Sequence, residues 1–131
     1  MSPEERDRFL STARTAVLST LDPQSRLHAV PVWFRYADGA FRIITERGSA
    51  KHRNVVRTGR ASLCIDERAG QMSFVSGEGP VDVVDEVTFE ERLALHTLYR
   101  GEDAARVIVE RGGHERMVLL ILRPEGWLGV H

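Results

Sequence analysis

Short apolar runs separated by turn residues dominate this chain, and that rhythm predicts strands. Ala16 to Thr20 is strand-like, and Asp22-Pro23-Gln24-Ser25 after it is turn chemistry. Leu27 to Tyr36, rich in valine and aromatic residues, predicts a second strand. Asp38-Gly39 is a hairpin signal, so Phe41 to Thr45 is expected to return as a third. Ala61 to Ile65 predicts a fourth strand, and Met72 to Val84 a long fifth. Gly77, Gly79 and Pro80 interrupt that fifth strand, which predicts a bulge or a bend at a barrel corner. Met117 to Leu122 and Trp127 to Val130, either side of a Pro124-Glu125-Gly126 turn, complete the strands.

Helical signals are few. Ser2-Pro3-Glu4-Glu5 has capping-box spacing with proline at the first helical position, and predicts a short helix through Ala13. Ser49 can cap a helix over Ala50 to Arg57, closed near Gly59. Thr88-x-x-Glu91 opens a helix to about Tyr99, with Gly101 after it. Asp103 to Arg111 is the second helix of that pair, ended by Gly112-Gly113. Phe89, Leu93 and Leu98 are then core positions. Hairpin-linked strands with peripheral helices point to a mainly β fold, a small antiparallel barrel rather than an alternating α/β sheet.

Composition narrows the class. The 131 residues fit one domain over 1–131, with 42% hydrophobic and 28% charged content, as in globular chains. A net charge of -1 excludes a generally basic nucleic-acid coat or a polyacidic tail. The opening MSPEERDRFL lacks the apolar stretch of a secretory signal, and Met117 to Leu122 is far short of the ~20 residues of a membrane helix. A cytoplasmic protein with no membrane contact is expected. Cys64 is the one cysteine, and the five histidines show no HExxH or other metal-ligand spacing, so no metal is expected.

Charge then singles out one segment. The 18 basic residues are 17 arginines and Lys51, a bias that GC-rich coding explains. Between Glu46 and Arg60, however, Arg47, Lys51, Arg53, Arg57 and Arg60 face Glu46 alone, a local charge of +4 (five minus one). Ser49 stands where a helix begins, with Lys51 two residues on and Thr45 at the end of the preceding strand. Oriented amides, a favourable dipole, hydroxyls and a mobile cation together make a phosphate site. The competing reading is a solvated basic helix face on which Ser49 only caps.

Other residues are less informative. Cys64 alternates within an apolar strand, and no GxSxG elbow supports a hydrolase. Asp82, Asp85 and Glu86 read as turn and cap acids, and Gly77-Glu78-Gly79 is too short for a nucleotide fingerprint. Trp33 and Trp127 are each either core or an aromatic wall of a planar-ligand pocket.

The order of segments resembles the pyridoxamine 5′-phosphate oxidase-like split-barrel family. It is most similar to the branch of small proteins that bind the deazaflavin coenzyme F420. The matching text is Ala16-Val17-Leu18-Ser19-Thr20, Val30-Pro31-Val32-Trp33-Phe34, and the Thr45 to Val55 stretch with its Thr-x3-Ser-x-Lys-x-Arg-Asn spacing; Arg60-Ala61-Ser62-Leu63 follows. The resemblance implies a six- to seven-stranded antiparallel split β-barrel with short flanking helices, working as a homodimer with cofactor at the interface. It implies that Thr45, Ser49 and Lys51 hold the cofactor phosphate, and that Val30 and Val32 lie on the strand facing the ring. It further implies that Gln71 reaches the cofactor across the dimer and that Trp127 serves the partner's pocket. Trp33 beside that strand, and Arg53 and Arg57 toward the anionic tail, complete the expected set. No catalytic acid or base is nominated, because the cofactor carries the reaction.

Departures from the family pattern matter too. Pyridoxamine phosphate oxidases carry arginine where this chain has Val30 and Ala50, which argues against that oxidation here. The expected activity is hydride transfer between F420 and an unsaturated small molecule. FMN-dependent chemistry on the same scaffold is the alternative, and a non-catalytic flavin or deazaflavin binder a third. Single-strand nucleic-acid binding needs aromatics between the cations, and Arg47 to Arg60 has none.

Overall fold

The computed structural model describes residues 1–12, 14–67 and 73–130. Helix α1 (Pro3–Leu10) leads into β1 (Thr15–Leu21), β2 (Leu27–Trp33), β3 (Arg35–Ala37) and β4 (Ala40–Glu46). Then come α2 (Ala50–Thr58), β5 (Arg60–Glu67), β6 (Ser73–Val84), α3 (Phe89–Arg100) and α4 (Glu102–Glu110). A single 3-10 turn at His114–Arg116, β7 (Met117–Leu122) and β8 (Gly126–Val130) end the chain.

All strand pairs are antiparallel, in the order β2-β1-β5-β6-β7-β4-β3, with β8 also on β6. The two ends of that order, β2 and β3, are consecutive in the chain and separated only by Phe34. The sheet is thereby curled into a split half-barrel with four helices around it. This is the mainly β split barrel with flanking helices that the sequence predicts. Inward positions alternate along the strands, as in Ala16, Leu18 and Thr20 of β1, all buried. Phe34, Phe41, Leu63 and Leu120 fill the interior, each burial contributing roughly 1.5–3 kcal/mol.

Four expectations need correction. The expected second strand, Leu27 to Tyr36, is divided at Phe34, so the described strands number eight. The cause is Tyr99 of α3: its hydroxyl accepts from the Phe34 amide at 2.9 Å, taking that amide out of the ladder. The first helix stops at Leu10, where the Ser11 cap amide bonds to the Arg8 carbonyl, and Ala13 lies outside the described residues. The second helix of the pair starts one residue early, at Glu102, because Gly101 (φ 87°) closes α3 and opens α4 together.

The fourth correction concerns the bulge. The β5–β6 ladder runs unbroken from Arg60↔Pro80 to Glu67↔Ser73. On the other edge of β6, Val81 pairs Leu122 and Glu78 pairs Gly126. Gly79 and Pro80 therefore oppose Arg123, Pro124 and Glu125, so the extra residue sits in the partner strand. The Arg123 amide donates to the Pro80 carbonyl at 3.0 Å, and the Glu125 amide to the Glu78 carbonyl at 2.8 Å. A Cβ on Gly79 would collide with the Arg123 carbonyl and stand 3.0 Å from the Glu125 nitrogen, which explains the glycine.

Three helices dock on the barrel. Arg6 of α1 lies over Trp127, 4.0 Å from its ring centroid. Val55 of α2 is buried in the core, and Asn54 beside it donates to Thr20 Oγ1 at 3.0 Å. Glu91 of α3 accepts from Arg35 at 2.8 Å and from Arg42 at 2.7 and 3.0 Å, holding the helix to the β3–β4 hairpin.

Candidate functional site

Thr45 ends β4 on its inward face, 5% exposed and opposite Val118 of β7. Gly48, at φ 80°, lets the chain turn back, and the Ser49 amide bonds to the Glu46 carbonyl at 3.2 Å. The turn brings Ser49 Oγ to 3.4 Å from Thr45 Oγ1. Ser49 is the N-cap of α2, accepting from the His52 amide at 3.4 Å. The first helical bond is Arg53 N to Ser49 O at 2.9 Å, so the Ala50 and Lys51 amides precede any helical acceptor. Two hydroxyls and two forward-pointing amides thus converge at the end of β4.

The cations do not act as a block. Arg47 turns away, donating to the Asp85 carbonyl at 2.5 Å and lying 3.8 Å from the Asp85 carboxylate. Arg60, at the far end of α2, pairs with Glu78 at 2.8 Å and Glu125 at 2.7 Å. Arg53 donates to the Gly48 carbonyl, and Arg57 to the Leu21 carbonyl and to Asn54 Oδ1 at 3.2 Å. Lys51 makes no hydrogen bond or ion pair among the described residues. Lys51, Arg53 and Arg57 therefore stand without a carboxylate partner there, and the +4 segment resolves into three uncompensated charges around one helix start.

The structure brings Val30 and Val32 to the inward side of β2, opposite Leu18 and Ala16. Among the described residues β2 pairs with β1 only, so its other edge offers backbone groups without a strand partner beside the split. Trp33 follows, stacked on Tyr99 at 4.4 Å and 10°, with His96 edge-on at 6.3 Å and Arg100 at 5.0 Å. One face of the Trp33 ring is therefore already covered from within the chain. Burial, then the charges of Arg100 and Arg92, hold His96 below its ordinary value of 6.5.

Trp127 does not join Thr45 within one chain. It packs against Phe41 at 5.8 Å and Tyr36 at 6.1 Å, at the other end of β4, roughly 13 Å of strand away. The expected contribution of Gln71 lies outside the described residues. Cys64 is exposed on the outer sheet face, where partial desolvation, then Asp66, pushes its thiol up. Among the described residues no group of three or more potential ligands could hold a metal, and no helix is long and apolar enough to cross a membrane.

Three polar residues on α2, β1 and β2 were given no role by the sequence reading. Asn54 is 3% exposed and ties α2 to Thr20 of β1, which is 3% exposed. His28 stands opposite Thr20 on β2, and its Nδ1 is buried with no partner. A signal existed only for Asn54, a polar residue four positions after Ala50 on the helix face that also carries Val55. The residues present fit a phosphate-bearing cofactor: hydroxyls, free first-turn amides and uncompensated cations all favour an anion.

A curled antiparallel half-barrel of this strand order with flanking helices defines the split-barrel class of proteins. A family model described as pyridoxamine 5′-phosphate oxidase matches residues 2–131, and the chain belongs to that family. No curated protein matches it. Among solved structures it is similar to a conserved hypothetical protein from Mycobacterium tuberculosis: TM-score 0.86, 23% identity, 98% of this chain and 84% of that one. It is also similar to an F420 reductase (TM-score 0.82, 19% identity, 97% and 98% covered). A heme storage protein from Vibrio cholerae, HutZ, shares the fold at TM-score 0.72 and 18% identity, with 96% and 92% covered. At these identities the likeness is one of fold.

Proposed function

We propose that this protein binds coenzyme F420 as a homodimer and passes a hydride between it and an unsaturated small molecule. The observation that carries the reading is the cradle of Thr45, Ser49 and Lys51. Thr45 and Ser49 offer hydroxyl donors, the Ala50 and Lys51 amides add two more, and Lys51 supplies an unpaired cation within reach of the helix start. Arg53 and Arg57 extend the positive field along α2 for a longer anionic tail. Val30 and Val32 offer a small apolar strand with an open backbone edge against a planar ring. When bound, the cofactor supplies the hydride chemistry, and the protein's part is orientation, exclusion of water and charge at the phosphate.

The homodimer rests on an apolar outer sheet face. Leu27 is 82% exposed and pairs across the strands with Leu21 (40%). Val17 (43%) pairs with Pro31 and Cys64. A partner laid on this face buries apolar surface otherwise left in water. Cytoplasmic residence follows the same reading.

FMN is the second reading, because the cradle recognises a phosphate and FMN carries one. Paired equilibrium titrations with F420 and FMN, read by absorbance and by thermal shift, test both. Binding of F420 with a raised melting temperature is expected; binding of neither by the folded protein ends the proposal. Tight F420 binding with no turnover across a panel of acceptors would leave a cofactor-binding protein instead.

A further inference from the structure

We propose that the cavity beneath α1 is a binding site for a small amphipathic monocarboxylate of the benzoate class. It lies at the opposite end of β4 from the Thr45–Ser49 cradle and uses none of the cradle's residues. The cavity, about 260 Å³, is lined by Met1, Arg6, Val75, Trp127, Leu128 and Gly129. Arg6 is the one charged side chain in that lining; the others are apolar side chains or glycine.

Arg6 is poorly matched inside the chain. Its guanidinium stands 4.0 Å over Trp127, and its Nε is buried with no hydrogen-bond partner among the described residues. The carboxylate of Asp7 lies 3.9 Å from that Nε, beyond hydrogen-bonding range, on a side chain 60% exposed. A guanidinium stays charged at any working pH and offers a fork suited to one carboxylate. Asp7 already offsets part of the charge, which favours a monoanion over a phosphate. The indole of Trp127 and the side chains of Val75 and Leu128 then take the ligand's apolar body. Met1, an adaptable thioether, closes the cavity beside Gly129, where a Cβ would stand 3.8 Å from the Met1 sulfur.

The test uses the full chain, titrated with benzoate and, separately, with the neutral isostere benzamide. The readout is the indole N–H resonance of Trp127, assigned by its loss in Trp127→Phe. Benzoate is expected to shift that resonance saturably and benzamide to leave it in place. Arg6→Gln is expected to weaken benzoate roughly tenfold or more. No saturable shift with benzoate, an equal response to benzamide, or unchanged affinity in folded Arg6→Gln would overturn the site. The benzoate–benzamide comparison needs no variant, so it stands whatever Arg6→Gln does to folding. Trp127 is also the residue expected to serve the partner's pocket, but the benzoate titration is run without cofactor, so its failure and a failure of cofactor binding are read separately.

Discussion

At the scale of single residues, Lys51 and Ser49 separate recognition from folding. Lys51 is half-buried and forms no partnership among the described residues, so little native structure depends on it. Lys51→Ala should leave the melting temperature within error and weaken cofactor binding by about ten- to hundredfold. That is the effect of losing one charged hydrogen bond worth about 1.5–3 kcal/mol. Isothermal titration and a melting curve on the same sample read both quantities, and unchanged affinity would make the lysine surface decoration. Ser49 does two things at once, because its Oγ caps the His52 amide and sits beside Thr45. Ser49→Ala should lower affinity and also cost about 1 kcal/mol of stability as a lost cap, measured by urea unfolding. The cap was legible in the sequence, since a serine at that spacing before a helix has few other roles. That Arg47 and Arg60 are taken out of the cationic set was not legible. Their acids, Asp85, Glu78 and Glu125, come from distant strands and loops.

At the scale of elements, the helix α3 shows how little of a position is local. Its start at Thr88 follows from the cap spacing, and Thr88 Oγ1 does accept from the Glu91 amide at 3.1 Å. Its docking depends on the Glu91 side chain, which sequence spacing presents only as a capping-box acid. In the fold that carboxylate meets Arg35 and Arg42, on strands some fifty residues earlier in the chain, as the separations of 56 and 49 show. Burial alone would raise its pKa, but hydrogen bonds from Arg42 and then Arg35 outweigh that and hold it below the ordinary 4.5. A carboxyl depressed in the folded state adds stability above its unfolded value and loses it as pH falls through the folded value. Acidification below about pH 4.5 should therefore lower the melting temperature of the parent protein. Glu91→Gln should start from a lower melting temperature at pH 7 and show a shallower decline through that acidic window. Scanning calorimetry of both proteins across pH 3 to 7 (roughly the range of carboxyl titration) decides it, and parallel profiles would assign the acid response to other groups. The strand break at Phe34, and the placing of the bulge at Arg123–Glu125 rather than in β6, were illegible for the same reason. Each is imposed by a distant partner, Tyr99 in one case and Gly79 in the other.

At the scale of the whole molecule, alternation along β1, β2 and β5 fixes two faces with opposite demands. The inward face is legible in sequence because, Thr20 and His28 apart, it is apolar where period two requires it. The outward face carries Val17, Leu21, Leu27, Ala29 and Pro31 where a solvated strand would carry charges. In one chain that face stays wet, and Trp127 stays at the far end of β4 from the cradle. The proposed homodimer, built on this face, would bury the exposed leucines. Leu27→Glu places a charge at the 82% exposed position, outside the buried core. It should convert the protein to a folded monomer with an unchanged far-ultraviolet spectrum, read by sedimentation velocity. If the cofactor site is completed by the partner, the same variant should also bind F420 more weakly, although Thr45, Ser49 and Lys51 are all intact. A monomer that keeps full affinity would confine the site to one chain, and a dimer that survives Leu27→Glu would move the interface to another face.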